Sequence, residues 1–284
     1  ELEEADSLFL TMRAVDQESD SVVLMRLCAP GLLGDKDARR MGEQLKKLIG
    51  KGGPTLNAFR DVDREGATLY SVEPYPTGAS LRSVLEARRQ KGQTFSPAEL
   101  VPVVARLEAA LAGIPAPFFH GDLRPQRIFV APERVLVTGG FFMAVLPGDP
   151  LVDALVRDIP LRRQFAPEVG DGLAGRPSDR WSIAALVWEA LTGAAPQPGA
   201  HAPPPKLGAL GPVLTRYLDA DPAHRPLTLL PLLEALAAAA GVPTPVVVPE
   251  TLGIDDDESD SESTELARRP GASRPSDTLE LLRG

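Results

Sequence analysis

An α+β fold of two unequal lobes is predicted by the order of patterns along the chain. Apolar, β-forming stretches occupy residues 8–29 and 56–75, with one amphipathic stretch between them, whereas apolar helical patterns dominate residues 80–241. Strands followed by helices indicate a small antiparallel lobe joined to a larger, mainly helical lobe. A cleft between the two lobes is expected near residues 74–79.

The small lobe, assigned to residues 1–75, is predicted to hold two hairpins and one helix. LFLTMRAV and SVVLMRLCA are β-forming runs joined by the polar DQESD, which indicates a hairpin. LNAFRDV and ATLYSVEPY form a second hairpin around the turn DREG. Between the hairpins, DARRMGEQLKKLI has its apolar residues at helical spacing and is followed by glycines, which indicates one helix.

The large lobe, assigned to residues 76–241, is predicted to be mainly helical. Ser80 and Ser96 are N-cap candidates for helices in SLRSVLEARR and SPAELVPVVARLEAALAGI, and Glu99 completes a capping box with Ser96. SDRWSIAALVWEALTG and TLLPLLEALAAAAG are apolar helices that end at glycine. Residues 242–284 are rich in Pro, Ser, Asp and Glu, and we interpret them as a disordered acidic tail.

Composition and charge restrict the classes of function. The 284 residues include 39 Asp and Glu against 30 Lys and Arg, and this net charge of -9 disfavours non-specific nucleic-acid binding. The single cysteine, Cys28, excludes an intrachain disulfide framework and a cysteine-based zinc cluster. No apolar run approaches the length of a membrane span. We expect a cytoplasmic chain without nucleic-acid partners, and a membrane anchor elsewhere in a longer protein stays open.

Six motifs in a fixed order carry a resemblance to a known family. They are MRAVDQESDSVVLMRL, TLYSVEPYPTGASL, HGDLRPQRIFV, FAPEV, SDRWSIAALVWEALTG and DPAHRP. Over about residues 7–241 their order and spacing resemble those of protein kinase domains of the bacterial Ser/Thr type. The resemblance implies a bilobal protein-kinase-like fold with a nucleotide cleft between the lobes. Val72 then stands at the gatekeeper position, which borders that cleft, and Glu73 and Tyr75 belong to the hinge.

The glycine-rich loop that covers nucleotide phosphates in a kinase is missing from this sequence. Residues 1–30 contain no glycine, and the three glycine positions of the loop fall near Glu4, Asp6 and Phe9. Backbone N–H groups of such a loop bind phosphate oxygens, whereas acidic side chains repel them. We therefore expect no phosphate-binding loop.

The strand lysine of the family and its helix partner are predicted at Arg26 and Glu43. Arginine keeps the positive charge, but its planar fork does not replace a compact ammonium group at a tight site. An Arg26–Glu43 ion pair would hold the helix in place without nucleotide. The alternative interpretation of Arg26 is an edge arginine in solvent.

The catalytic loop HGDLRPQRIFV keeps its aspartate but not its other charged residues. Asp122 stands at the catalytic-base position, and Arg124 replaces the phosphate-contacting lysine. Arg127 replaces a magnesium-binding asparagine, and Gly139 in TGGFF stands where the metal-binding aspartate belongs. Mg²⁺ takes oxygen ligands, which a guanidinium group cannot supply. We expect no metal site and no catalysis, and interpret Asp122 as a residue that orders the loop rather than as a base.

Four residues match architectural positions of the same family. Glu168 in FAPEV and Arg225 in DPAHRP match a buried ion pair that fastens the end of the activation segment to the large lobe. Asp179 matches a helix aspartate that hydrogen-bonds the backbone of the catalytic loop, with His120 packed nearby. These residues support the fold and not the activity.

The combined pattern predicts a pseudokinase that acts as a scaffold or allosteric regulator in Ser/Thr phosphorylation signalling. In the tail, Thr251 in ETLGI and Thr278 in DTLEL follow an acidic residue and precede an aliphatic one by three positions. Phosphothreonine readers of the forkhead-associated type commonly favour that spacing, and phosphorylation would supply the acceptor oxygens. The expected partner is such a domain or an active Ser/Thr kinase acting in trans. A solvated acidic linker is the alternative for the tail.

Two other functions stay open from the sequence. One is an atypical active kinase, favoured by the retained Asp122 and Glu43. The other is a sensor that binds ATP without metal through the arginines at the altered positions. We expect no cofactor and rank both below the pseudokinase. The sequence also leaves open whether Phe141 and Phe142 fill the cleft.

Overall fold

The computed structural model describes residues 1–196 and 203–254 of the chain. In chain order the small lobe contains β1 (Leu2–Ala5), β2 (Phe9–Asp16), β3 (Ser21–Cys28), α1 (Asp35–Lys46), β4 (Asp61–Glu65) and β5 (Thr68–Pro74). The large lobe contains β6 (Ala79–Ser80), α2 (Leu81–Gln90), α3 (Pro97–Gly113), β7 (Ile128–Ala131), β8 (Arg134–Val137), α4 (Phe142–Val145), α5 (Gly148–Arg157), α6 (Ile159–Arg162), α7 (Arg176–Thr192), α8 (Leu210–Tyr217) and α9 (Leu230–Ala240).

An antiparallel sheet in the order β1-β2-β3-β5-β4 forms the small lobe, with α1 packed against β4 and β5. Both predicted hairpins are present. The first pairs Phe9 with Cys28 and continues to Asp16 and Ser21 without a break in register. The second is shorter than predicted, because β4 begins at Asp61.

The segment LNAF pairs with the large lobe instead of extending β4. The N–H of Asn57 donates to the carbonyl of Val137 at 2.9 Å, and the N–H of Val137 donates to the carbonyl of Thr55 at 2.7 Å. Backbone groups that bond to β8 are not available to β5, which explains why the hairpin is short. The same two hydrogen bonds tie the small lobe to the large one.

The large lobe is built on helices whose ends follow the predicted capping residues. The Ser80 hydroxyl accepts the N–H of Ser83 at 3.2 Å, and the Glu99 carboxylate accepts the N–H of Ser96 at 2.8 Å. The core lies where α3, α7, α8 and α9 meet, beneath the small sheet β6-β7-β8. No helix in the described part of the chain is long and apolar enough to cross a membrane.

The prediction of a disordered tail over residues 242–284 needs a correction at residues 247–254, which pack against the fold. Leu252 is only 4% exposed and belongs to the hydrophobic core, and the N–H of Glu250 donates to the carbonyl of Ala109 at 2.9 Å. The reason is that apolar residues in VVVPETLGI pack against the folded lobes. The composition of the segment does not indicate this packing. The remainder, including Thr278, lies outside the described residues.

Candidate functional site

Charged side chains from both lobes meet in a buried cluster in the interlobe cleft. Arg26 reaches it from β3, and three others come from the segment that connects α3 to β7. All four of these side chains are at most 3% exposed. With two acids at the start of the chain they form what we call the arginine–carboxylate cluster, which consists of Glu4, Asp6, Arg26, Asp122, Arg124 and Arg127.

Asp122 is the centre of this cluster. Its carboxylate accepts hydrogen bonds from Arg26, from Arg124 through Nη2 at 3.0 Å, and from Arg127 through Nε at 3.2 Å. Burial by itself would raise the pKa of Asp122, but the guanidinium groups of Arg124 and Arg26 outweigh it and hold the pKa well below its ordinary value. A carboxylate engaged in this way is a poor proton acceptor.

Glu4 and Asp6 complete the charge balance of the cluster. Asp6 lies 3.0 Å from Nη1 of Arg124, and Glu4 lies 3.1 Å from Nη2 of Arg127. The other oxygen of Asp6 accepts the N–H groups of Leu8 and Phe9, which fixes the turn between β1 and β2. Three arginines are therefore matched by three carboxylates. The sequence predicted only that these acids would repel phosphates, not that they pair with the arginines.

Arg26 occupies the middle of the cleft between two aromatic rings. Its guanidinium carbon lies 3.8 Å from the ring centroid of Phe9 and 5.4 Å from that of Phe142. One Nη donates to the carbonyl of Gly139. Burial, and then repulsion by Arg127, lowers the pKa of Arg26 to about 10, so the group stays charged at neutral pH. Its interpretation as an edge arginine in solvent is wrong.

The predicted ion pair between Arg26 and Glu43 is also wrong. The carboxylate partner of Arg26 is Asp122, whereas Glu43 is exposed on α1. Helix α1 turns Met41 and Leu45 toward the core, whereas Glu43 lies on its exposed face.

The predicted hinge requires one correction, at Val72. Strand side chains alternate between faces, and Val72 packs with Met25 and Tyr70 on the side of the sheet away from the cleft. It therefore does not border the cleft as a gatekeeper would. The adjacent Glu73 faces inward, and Tyr75 at the end of the hinge donates its hydroxyl to Glu3.

Glu73 forms a second buried polar contact beside the cluster. Its carboxylate accepts the N–H of Gly139 at 2.9 Å and a side-chain N–H of Asn57 at 3.2 Å. Burial raises the pKa of Glu73 to about 7, although the nearby charge of Arg26 opposes the rise. The hinge is thereby linked directly to the segment at Gly139.

Aromatic side chains fill the space behind the arginine–carboxylate cluster. The sequence alone did not decide whether they would do so. Phe141 and Phe142 are 2% and 0% exposed. Phe142 makes edge-to-face contacts with Phe9 and Phe59, with ring centroids 5.3 and 6.1 Å apart. This part of the cleft is packed core.

The ion pair predicted between Glu168 and Arg225 lies in the large lobe, away from the cleft. Two nitrogens of Arg225 donate to the two oxygens of Glu168 at 2.6 and 2.8 Å, and the hydroxyl of Ser178 donates to the same carboxylate at 2.7 Å. The bidentate geometry fastens the segment before α7 to the turn before α9.

Asp179, at the start of α7, fixes the backbone on which Asp122 is carried. Its carboxylate accepts the N–H groups of His120 at 2.8 Å and Gly121 at 2.7 Å. Burial lowers the pKa of His120 to about 3, so its imidazole is neutral, and Nδ1 accepts the N–H of Asp122 at 3.2 Å. The resemblance implied the two hydrogen bonds to Asp179 and the packing of His120 nearby, but not the hydrogen bond to Nδ1.

Two polar residues of the cleft were missed by the sequence analysis. Thr11 accepts a hydrogen bond from Nη1 of Arg127 at 2.9 Å, and Asn57 bonds both Glu73 and the carbonyl of Pro74. Strand alternation from Phe9 would have placed Thr11 on the inner face. No local signal identifies Asn57, because its role depends on the pairing of LNAF with the large lobe.

The architecture is that of a protein kinase domain, in which a small sheet with one helix covers a helical lobe across a cleft. The kinase domain of Mycobacterium tuberculosis PknI is similar in structure, with a TM-score of 0.62 at 18% identity, over 85% of this chain and 94% of that one. The apo form of PpkA-294 gives a TM-score of 0.57 at 16% identity, over 84% and 94%. At these identities the likeness establishes the fold alone. No protein-family profile matches the sequence.

The residues of the cleft do not fit the Mg²⁺ that a working kinase fold implies. Arg127 presents a guanidinium group and Gly139 has no side chain, so neither position offers an oxygen ligand from a side chain. Among the described residues, no group of three or more His, Cys, Asp or Glu is placed to hold a metal ion.

Proposed function

We propose that this chain is a pseudokinase, a kinase-fold domain that regulates or scaffolds Ser/Thr phosphorylation without catalysing it. The observation that carries the proposal is the position of Arg26. Its guanidinium group binds Asp122 and Gly139 together, and so occupies the place between the two lobes where phosphates and metal would have to be held.

The substitutions at positions 26 and 139 depend on each other sterically. A Cβ atom at Gly139 would lie 2.2 Å from Nη1 of Arg26. Gly139 also has a φ of +72°, a backbone conformation that residues with a side chain rarely adopt. An aspartate at 139 is incompatible with Arg26 where it lies. A metal ligand at position 139 therefore requires the Arg26 side chain to leave its present place.

The charges of the cleft also disfavour nucleotide binding. The three arginines that could attract phosphates are already neutralised by Glu4, Asp6 and Asp122. A nucleotide would have to displace two of these carboxylates and move Arg26 out of its aromatic seat. The favourable contacts of the nucleotide would be offset by the loss of these buried ion pairs.

A thermal-shift titration with ATP tests the proposal. A site of about 0.1 mM affinity, probed with about 10 mM ATP, would stabilise the fold by about 2.7 kcal/mol and raise Tm by several degrees. We expect no rise with Mg²⁺ and none with EDTA. A rise that requires Mg²⁺, followed by phosphate transfer to a protein substrate, would show the chain to be an atypical active kinase and overturn the proposal.

A metal-independent ATP sensor is the second candidate, because the cluster contains three arginines that could hold phosphates. The variant Glu4→Gln/Asp6→Asn removes the competing carboxylates and leaves the arginines in place. A sensor should bind ATP in EDTA, and should do so more tightly in this variant than in the wild-type chain. If neither protein responds to ATP, the cleft has a structural role only.

A protein partner is proposed on the basis of the tail. Thr251 has an exposed side chain, and Thr278 lies outside the described residues. An active bacterial Ser/Thr kinase should phosphorylate one or both in trans, and a forkhead-associated domain should then bind the product. Incubation with such a kinase, followed by mass spectrometry of wild type, Thr251→Ala and Thr278→Ala, tests this step. Phosphate found only elsewhere in the chain would contradict it.

A further inference from the structure

The segment that carries Thr251 is held against both lobes. We call residues 247–254 the strap. Leu252 is buried in the core, and Val247 and Ile254 pack against its edge. Between these apolar contacts Glu250 makes two hydrogen bonds. The strap therefore uses side chains on both sides of Thr251 to bind the fold.

Glu250 joins the strap to each lobe separately. Its N–H donates to the carbonyl of Ala109 on α3 at 2.9 Å. Its carboxylate accepts the N–H of Thr55 at 3.1 Å, in the segment between α1 and β4. Thr55 is the same residue whose carbonyl accepts the N–H of Val137 in the large lobe. The strap thus lies across a junction that already ties the lobes together.

Two glycines form the seat of the strap. A Cβ atom at Gly113, the last residue of α3, would lie 2.0 Å from the carbonyl oxygen of Glu250. A Cβ atom at Gly53 would lie 2.5 Å from the Glu250 carboxylate and 2.9 Å from Leu252. Only residues without side chains admit the strap at this distance.

We propose that docking of the strap masks the Thr251 motif, so that a phosphothreonine reader binds this chain only after the strap has left its seat. The proposal rests on the proposed function insofar as the reader is concerned. The contacts that carry it are those of Glu250, Leu252 and Ile254, which precede and follow Thr251 in ETLGI.

The physical reason is competition for the same atoms. A reader of an extended phosphopeptide contacts the backbone and side chains around the phosphorylated residue. In the docked strap the N–H of Glu250 and the side chain of Leu252 are already engaged. The apparent affinity of the reader is then reduced by the fraction of chains whose strap is released. Masking should disappear when the seat is blocked.

The variant Gly113→Ala blocks the seat without changing any residue of the motif. The new methyl group would overlap the backbone of Glu250, which cannot rotate away, whereas alanine suits the helical backbone of α3 at least as well as glycine. Ala112→Ser is the matched control, because Ala112 is the exposed neighbour of Gly113. Leu252→Ala provides a second release variant for exchange measurements.

Hydrogen exchange of the full chain measures docking directly. The amides of Glu250 and Thr55 should be protected in the wild type and in Ala112→Ser. They should lose that protection, by tenfold or more, in Gly113→Ala and Leu252→Ala. Unprotected amides in the wild type would show that the strap is not docked in solution, and would overturn the proposal whether or not Thr251 is ever phosphorylated.

Reader binding measures the masking. The full chain is prepared with phosphothreonine at 251, and a forkhead-associated domain is selected that binds the free phosphopeptide of residues 246–258. If about 90% of chains are docked, this domain should bind Gly113→Ala about tenfold more tightly than the wild type or Ala112→Ser. Equal affinity for all three overturns the masking. If no such domain binds the free phosphopeptide, the reader in the proposed function fails, and the exchange data still decide the docking.

Discussion

The arginine–carboxylate cluster and the Glu168–Arg225 pair are both buried ionic sites, but they serve different parts of the fold. Glu168 and Arg225 keep the positions that the family resemblance implies and connect two segments of one lobe. The cluster connects the two lobes, and Asp122 at its centre binds three arginines. The comparison teaches that a carboxylate at a position which the family resemblance associates with catalysis can be engaged by arginines of its own chain.

The two sites also differ in what their loss should reveal. Removing one partner of a buried ion pair leaves the other charge uncompensated, which costs about 3 to 5 kcal/mol. An architectural pair should show this cost in any kinase fold. A catalytic aspartate is commonly held at some expense of stability, so its replacement is often neutral or stabilising. Asp122 should therefore behave here in the opposite way to a catalytic base.

The largest effect is expected for Asp122→Asn, which keeps the side-chain volume and removes the charge. Arg26, Arg124 and Arg127 would then repel one another in a buried site with only Glu4 and Asp6 to balance them. We expect the free energy of unfolding in urea to fall by about 4 to 5 kcal/mol. The control is Glu43→Ala, an exposed residue of α1 that should change stability by less than about 0.5 kcal/mol. An unchanged or higher stability of Asp122→Asn would mean that Asp122 is held as a functional residue.

A smaller loss is expected for Arg225→Met, which keeps much of the side-chain volume. Glu168 would lose its bidentate partner but would keep the hydrogen bond from the Ser178 hydroxyl. The free energy of unfolding should fall by about 3 kcal/mol, measured in the same way. Arg216→Met, at an exposed position of α8, is the control. A loss larger than that of Asp122→Asn would reverse the comparison and make the cluster the weaker of the two sites.

The smallest effect is a pH dependence that belongs to Glu73. Its pKa is raised by burial from 4.5 to about 7, so between these values the folded chain holds a proton that the unfolded chain has released. Stability is therefore greatest below this range and falls as the pH rises through it. Asp179, whose pKa burial also raises to about 7, acts in the same direction.

The variant Glu73→Gln isolates the contribution of Glu73 to this pH dependence. Between pH 5 and 7 the free energy of unfolding of the wild type should fall by about 2 to 3 kcal/mol more than that of the variant. Urea unfolding at several pH values measures the difference. Parallel curves would show that Glu73 is ionised in the folded chain throughout this range.

Much of the fold could be predicted because its signals are local. Hairpins follow from apolar runs that flank polar turns, and helix ends follow from residues such as Ser96 and Gly193, which act on the backbone next to them. The length of β4 and the docking of the strap, residues 247–254, could not be predicted. Both depend on hydrogen bonds to segments far away in sequence, to Val137 and to Ala109.

The candidate site likewise has features that the sequence determines and features that it does not. The absence of glycine from residues 1–30 and the identities of Arg127 and Gly139 are facts of the sequence. They exclude the family's usual phosphate and metal ligands, since a side chain either contains the required donor or does not. Residue identity does not determine which residues pair with one another.

Only the tertiary structure decided that Arg26 pairs with Asp122 and not with Glu43, and that Glu4 and Asp6 bind the arginines of the catalytic loop. Ion-pair partners are selected by which side chains the packed strands and helices bring within about 4 Å, in surroundings where an unpaired charge is costly. The sequence determined which charges this protein has. The packing of the two lobes determined that these charges neutralise one another.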